Sequence, residues 1–250
     1  MARKPAYVTL AILLFLLGAP TPATAADESQ VAEAKAFLAT MAADRKAKDR
    51  SALQQHLEKL PGIHNGIEDK STRGKLQKEA GALVKAKGLD KLAIPAVEAL
   101  GNLNDSKGAY KQLKKHMPGP KDKTPITDVG TAVMGAVAKL APDGAIGALL
   151  SLAEKSRDYD AAALAIGALG AYKGSKKRVD ILESLIKLIS RFQPPRGQQI
   201  GVEAAKRWKA LGQPLVMACN AITTRRETTP DAWLGLWKEN KKKPAALFNE

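Results

Sequence analysis

The stretch that decides the fold is AVEALGNLND, at residues 96–105. Small or apolar residues recur three and four positions apart within it, which places them on one face of a helix. Three other stretches share this spacing. The four segments are Ala96-x-x-Ala99-Leu100-x-x-Leu103, Val133-x-x-Ala136-Val137-x-x-Leu140, Ala165-x-x-Ala168-Leu169-x-x-Tyr172 and a looser Arg207-x-x-Ala210-Leu211. Such recurrence is typical of a chain built from internal repeats.

The distance between these segments predicts that each repeat is a pair of helices. Their ends lie about 32–39 residues apart, which leaves room for two helices and two turns. Partner helices with apolar stripes are predicted at residues 145–155 and 177–192. The Pro- and Gly-containing stretches at 118–120, 142–144 and 194–197 are predicted to be the turns between them.

The composition agrees with an all-α fold. Hydrophobic residues make up 45% of the 250 residues, enough for a continuous core, and aromatic residues only 4%. Ala, Leu, Lys and Gly dominate, which favours helices packed through small side chains over a β-sandwich.

The repeated segments resemble the second helix of HEAT-like repeats. The pattern of that helix is a small residue, two variable positions, Ala-Leu-Gly, an apolar residue and a short turn with Asp. Residues 96–105 match it best, and residues 165–172 also fit. The resemblance covers residues 75–212 and implies an α-solenoid of short helix pairs. Family members usually carry Arg or Lys near the start of this helix, where this chain has Ala93, Gly130, Ala162 and Ala204.

Four regions follow from this interpretation: a signal peptide (1–25), an irregular N-terminal helical cap (26–74), the HEAT-like array (75–212), and a C-terminal helical cap with a basic tail (213–250). In the N-terminal region, helices are predicted at 28–48, 51–60 and 74–87, with a turn at Pro61-Gly62. In the C-terminal region, a helix is predicted at 231–240 with Thr229 as its cap before Pro230.

The first 25 residues predict export. Arg3 and Lys4 precede an apolar run at residues 7–17, and Ala23-Thr24-Ala25 has the small-x-small form of a signal-peptidase site. We expect cleavage after Ala25, a periplasmic or secreted mature protein, and no transmembrane span after cleavage. A retained membrane anchor is the alternative, although the run is only about half the length needed to cross a bilayer.

No catalytic, metal or cofactor site is predicted. Cys219 is the only cysteine, so an intramolecular disulfide is impossible, and its apolar neighbours predict burial. His56, His64 and His116 are scattered and lack the convergent spacing of metal ligands. Ser184 and Lys187 match Ser-x-x-Lys, but they fall in mid-helix without the companion motifs of that enzyme class.

Two sets of residues are candidates for binding. Trp208, Trp233 and Trp237 could anchor a protein partner, because Trp beside Arg or Lys is common at interfaces, or could pack as a hydrophobic cap. The net charge of +15 makes an anionic polymer a possible ligand, and nucleic acid is not expected because no aromatic residues are interleaved with the lysines. The candidate polyanion-binding residues are Lys111, Lys114, Lys115, Lys176, Lys177 and Arg178.

The predicted function is therefore that of a non-catalytic protein-interaction scaffold of the cell envelope or exterior, which binds through a helical-repeat surface. The alternative is an electrostatic binder of an anionic envelope polymer or membrane surface. No cofactor is predicted for either.

Overall fold

The computed structural model describes residues 22–195, 197 and 201–248. Within these residues the fold is all-α, with no strand. The α-helices are α1 (Pro22–Ala47), α2 (Arg50–Gly66), α3 (Lys70–Leu83), α4 (Ala93–Gly101), α5 (Ser106–Leu113), α6 (Asp128–Leu140), α7 (Ile146–Lys155), α8 (Tyr159–Gly170), α9 (Arg178–Phe192), α10 (Val202–Thr223) and α11 (Pro230–Asn240). Short 3-10 turns occupy Asp90–Leu92, Lys114–His116, Asp143–Ala145, Ala171–Gly174 and Pro244–Phe248.

Side-chain caps explain where many of the helices begin. An Asp or Thr side chain accepts a hydrogen bond from a backbone N–H of the first turn, which otherwise has no partner within the helix. The capping residues are Asp49 for α2, Asp69 for α3, Asp105 for α5, Thr127 for α6, Asp158 for α8 and Thr229 for α11. The predicted cap at Thr229 is confirmed, with Pro230 as the first residue of α11.

The helices contact mainly their neighbours in the chain. Every substantial helix–helix contact joins helices that are one or two apart in order. The even-numbered helices α2, α4, α6, α8 and α10 form one unbroken row, in which each helix packs against the next. The odd-numbered helices form two shorter rows, α1–α3–α5 and α7–α9–α11, without a substantial contact between α5 and α7.

Close approach in the even row depends on two glycines. A Cβ atom on Gly101, at the end of α4, would lie 2.9 Å from the Cβ of Ala136 in α6. One on Gly170, at the end of α8, would lie 3.2 Å from the Cα of Ala218 in α10. Both distances are shorter than ordinary van der Waals contact, so glycine is what allows these helices to approach so closely.

The same burial pattern recurs in four helices of the even row. Two buried residues, one exposed residue and two more buried residues follow each other at 96–100, 133–137, 165–169 and 215–219. Ala136 and Ala218, the two alanines that meet the glycines, hold the same place in this pattern. The register predicted for the fourth segment is therefore wrong: the equivalent stretch of α10 begins at Leu215, about two turns after Arg207.

Helix positions were predicted better than helix ends. The predicted helices at 145–155, 177–192 and 231–240 correspond to α7, α9 and α11. The turn predicted at Pro61-Gly62 is wrong, because α2 continues to Gly66. Leu53, Leu57, Leu60 and His64 are buried along one side of α2, and this burial outweighs the local cost of a proline within the helix.

All three of the predicted region boundaries fall inside helices. The boundary at residues 74 and 75 lies within α3, and the one at 212 and 213 lies within α10, which also contains Pro214. The predicted signal peptide lies mostly in residues 1–21, outside the described residues, and its cleavage point falls in the first turn of α1. One hydrophobic core extends through the described residues from Ala34 to Leu247.

Candidate interaction surfaces

The three tryptophans do not form one exposed cluster. Trp233 is fully buried, and its Nε1 donates a hydrogen bond of 3.1 Å to the Asn220 Oδ1. Trp208 and Trp237 are half-buried, and Trp208 lies against Gly212. Trp233 therefore cannot serve as a surface anchor in this conformation, because its ring belongs to the core between α10 and α11.

Asn220 is a structural residue that was not identified from the sequence. Its Oδ1 also accepts a hydrogen bond of 3.1 Å from the Glu227 N–H, and its Nδ2 donates one of 2.7 Å to the Glu227 carbonyl. One side chain thus holds the loop before α11 and the indole of Trp233 together. An Asn in the last two turns of a helix gives no sequence signal for such a role.

Arg207 lies in an aromatic environment at the start of α10. Its guanidinium is 4.2 Å from the centroid of the Phe192 ring and 5.9 Å from that of Tyr159, and it donates to the Glu154 carbonyl. Burial lowers the pKa of Arg207 from its usual value. The arrangement joins α7, α8, α9 and α10, which indicates a packing role.

The two basic clusters lie on different helices. Lys111, Lys114 and Lys115 are exposed at the end of α5, and Lys115 Nζ donates a hydrogen bond of 3.0 Å to Gln112 Oε1. Lys176 and Lys177 are exposed before α9. Arg178 stacks 4.7 Å from the centroid of the Phe248 ring, so part of the second cluster is engaged in packing. Helices α5 and α9 share no substantial contact.

A groove lies beside the loop at residues 117–127, between α5 and α6. Its volume is about 390 Å³, and its walls come from the end of α3, the turn after α5, the loop, and the first turns of α6 and α8. Charged and polar residues on its walls are Lys85, Lys115, His116, Asp122, Thr124, Thr127, Ser156 and Asp158. Apolar residues on its walls include Val84, Met117, Ile126 and Val129. Lys115 is the only one of the predicted polyanion-binding residues on its walls.

His116 is the central titratable group of this groove. Burial lowers the pKa of its imidazole, and the charges of Lys85 and Lys115 lower it further. Its Nδ1 is buried and has no hydrogen-bond partner among the described residues. The sequence showed His116 only as an isolated histidine, because the groups around it come from α3 and from the loop.

A second histidine, His64, is part of a buried polar network. Its Nδ1 is 3.0 Å from Asn65 Oδ1, and its Nε2 is 2.9 Å from the Gln77 Nε2, which also lies 2.9 Å from Asp105 Oδ2. Because the Gln77 amide nitrogen can only donate, His64 Nε2 must accept, and its proton is on Nδ1. The network ties α2 and α3 to the turn before α5.

The remaining motifs show no catalytic or metal geometry. Ser184 Oγ donates to the Asp180 carbonyl at 2.8 Å, and Lys187 forms an ion pair of 2.8 Å with Glu183, so the two residues of the Ser-x-x-Lys match do not meet each other. Over residues 22–195, 197 and 201–248, no group of three or more His, Cys, Asp or Glu side chains could hold a metal ion. Cys219 is buried as predicted, and burial raises the pKa of its thiol.

No helix in the described part of the chain is both long enough and apolar enough to cross a bilayer. Comparisons with protein-family models, with curated proteins and with solved structures found no match to this chain.

Proposed function

We propose that this chain is a non-catalytic protein-interaction scaffold that is exported and acts in the periplasm, at the cell envelope or outside the cell. In this proposal it is an α-solenoid of HEAT-like helix pairs between two helical caps. The observation that carries the proposal is the contact pattern, in which every substantial helix–helix contact joins helices one or two places apart along the chain. A chain of nearest-neighbour contacts produces an elongated surface, and such surfaces are what repeat proteins use to bind partners.

The even row is the proposed binding side, because it runs unbroken from α2 to α10. The exposed position of its repeated pattern is occupied by Glu98, Gly135, Gly167 and Met217. Met217 is 61% exposed, which is unusual for a large apolar side chain in the middle of a helix. Cβ atoms on Gly135 and Gly167 would meet no atom of a neighbouring helix within 4 Å, so the surface is open there.

Affinity capture with matched variants tests the scaffold function. Residues 26–250 would be immobilised and exposed to the envelope and extracellular fractions of the organism that makes the protein. We expect one defined protein to bind and to stay bound at high salt. Gly167→Arg should abolish this binding without unfolding the protein, because the new side chain projects from an open helix face. Lys187→Ala, on α9 in the odd-numbered row α7–α9–α11, should not affect it.

The alternative function is electrostatic binding of an anionic envelope polymer or membrane surface. It is favoured by the three exposed lysines at the end of α5, none of which forms an ion pair with a carboxylate within the described residues. Binding of this kind weakens steeply with salt. Release of the bound material at moderate salt, and equal binding by Gly167→Arg, would favour this function over the scaffold.

Export has its own test. The N-terminal residue of the mature protein, determined by Edman sequencing or mass spectrometry, should be Ala26. An intact Met1 on membrane-bound material would contradict export with cleavage and support the anchored alternative.

A further inference from the structure

We propose that the groove beside the loop at 117–127 binds a ligand that carries a carboxylate next to an apolar group. Lys85 and Lys115 would supply the positive charge, and Val84, Met117 and Ile126 the apolar wall. The proposal is independent of the scaffold function, because it concerns a small-ligand site and not the surface of the even row.

The cationic groups of the groove are free to bind an anion. Lys85 is exposed, and it forms no hydrogen bond or ion pair with any residue that the structure describes. Lys115 uses one of its three donors on the neutral Gln112 side chain. Neither ammonium group forms an ion pair with a carboxylate of the protein, so both are available to pair with a negatively charged ligand.

The two carboxylates of the groove are already occupied by the backbone. Asp158 Oδ1 accepts hydrogen bonds from the N–H groups of Asp160 and Ala161 at 2.9 and 3.2 Å, and its Oδ2 accepts one from Ile126 at 2.6 Å. Asp122 Oδ2 accepts one from Gly119 at 2.7 Å. These residues hold the loop against the start of α8 and thereby shape the groove.

His116 lies on the wall of the groove and would respond to a bound ligand. The neighbouring positive charges lower the pKa of His116, and a bound anion would offset that effect.

The composition of the walls selects the class of ligand. A cavity of about 390 Å³ is within the range of small-molecule sites, which combine apolar walls with a few convergent polar groups. Asp122 and Asp158 make the groove less favourable for a doubly charged phosphate than for a single carboxylate, because like charges repel. The apolar wall next to the lysines favours a carboxylate attached to a hydrophobic group.

Nuclear magnetic resonance titration with 4-phenylbutyrate as the probe tests the site. We expect chemical-shift changes that saturate at millimolar concentrations of the probe and are confined to the backbone amides of the loop and to the His116 ring. The neutral analogue 4-phenylbutyramide should cause much smaller shifts, and inorganic phosphate should bind more weakly than 4-phenylbutyrate.

Variants assign the binding to the named residues. Lys85→Gln and Lys115→Gln should each weaken binding by about threefold to fivefold, as expected for an exposed ion pair. Lys111→Gln is the matched control, because Lys111 lies on α5 but is not part of the groove. The proposal is overturned if no saturable shift occurs, if the amide or phosphate binds as well as the carboxylate, or if Lys111→Gln weakens binding as much as Lys85→Gln.

Discussion

At the scale of single residues, glycines of the same helix row have opposite roles. Gly101 faces Ala136 at a distance that leaves no room for a side chain, whereas Gly167 points to open space. The sequence shows both as glycines within similar apolar segments. Only the position of the neighbouring helix shows that close packing requires a glycine at Gly101 and does not require one at Gly167.

We predict that Gly101→Ala destabilises the protein by about 1–3 kcal/mol, because the added methyl group must push α4 away from α6. Gly167→Ala is the matched control and should stabilise the protein by up to about 1 kcal/mol, since alanine restricts the unfolded chain and favours the helix. Chemical denaturation followed by circular dichroism measures both. Equal effects of the two substitutions would contradict the close approach at Gly101.

His64 illustrates how burial changes the chemistry of a residue. It is 0% exposed, and burial lowers the pKa of its imidazole. The nearby charge of Arg73 lowers it further, while Asn65 and Asp105 raise it by smaller amounts than burial lowers it. Protonation of Nε2 would also place its N–H against the donor nitrogen of Gln77.

We predict that stability falls as the pH is lowered from 7.5 through the pKa of an unfolded histidine, about 6.5. Below that pH the unfolded chain binds a proton on His64 that the folded chain does not bind, so protons favour unfolding. At higher pH both states are neutral and the contribution is constant. His116 has a pKa shift in the same direction, so His64→Gln should reduce the pH dependence without abolishing it. Urea melts at several pH values test this, and an unchanged slope in His64→Gln would exclude His64 as its source.

At the scale of helices and loops, the connection from α10 to α11 depends on one side chain. Asn220 holds both backbone groups of Glu227 and the indole N–H of Trp233. The helix at 231–240 was predicted correctly with its cap at Thr229, but the sequence did not show which residue attaches α11 to α10.

We predict that Asn220→Ala costs about 1–3 kcal/mol, because it leaves the buried indole N–H and the Glu227 backbone without their partners. The fluorescence of Trp233 should shift to longer wavelength as water reaches the ring. Gln213→Ala, at an exposed position of the same helix, is the control and should change neither property. A native emission spectrum in Asn220→Ala would show that α11 is held by other contacts.

At the scale of the whole molecule, the contact pattern affects how the protein unfolds. In the proposed repeat array, stability is a sum of local terms, so damage at one interface need not spread to the ends. Ala168 is buried in α8, which lies between α6 and α10 in the even row.

We predict that Ala168→Leu overpacks this interface, costs about 1–3 kcal/mol and broadens unfolding by uncoupling the two ends. All three tryptophans follow residue 207, so tryptophan fluorescence reports the C-terminal end, and circular dichroism reports all helices. The two melting curves should separate in the variant. Lys241→Ala, at an exposed position, should leave them unchanged, and coincident curves in Ala168→Leu would contradict the uncoupling.

Local sequence determined the helical nature of this protein and the positions of most of its later helices. The apolar stripes of α7 and α9, the position of α11 with its cap at Thr229, and the burial of Cys219 were all predicted, because each depends on residues close together in the chain. The tertiary structure decided the rest. Burial of one side of α2 carries the helix through Pro61, and the fold places Gly170 of α8 directly against Ala218 of α10. The groove around His116 was not predictable, since its groups come from the end of α3, the turn after α5, α6, α8 and a loop, and only folding brings residues so distant in sequence to one place.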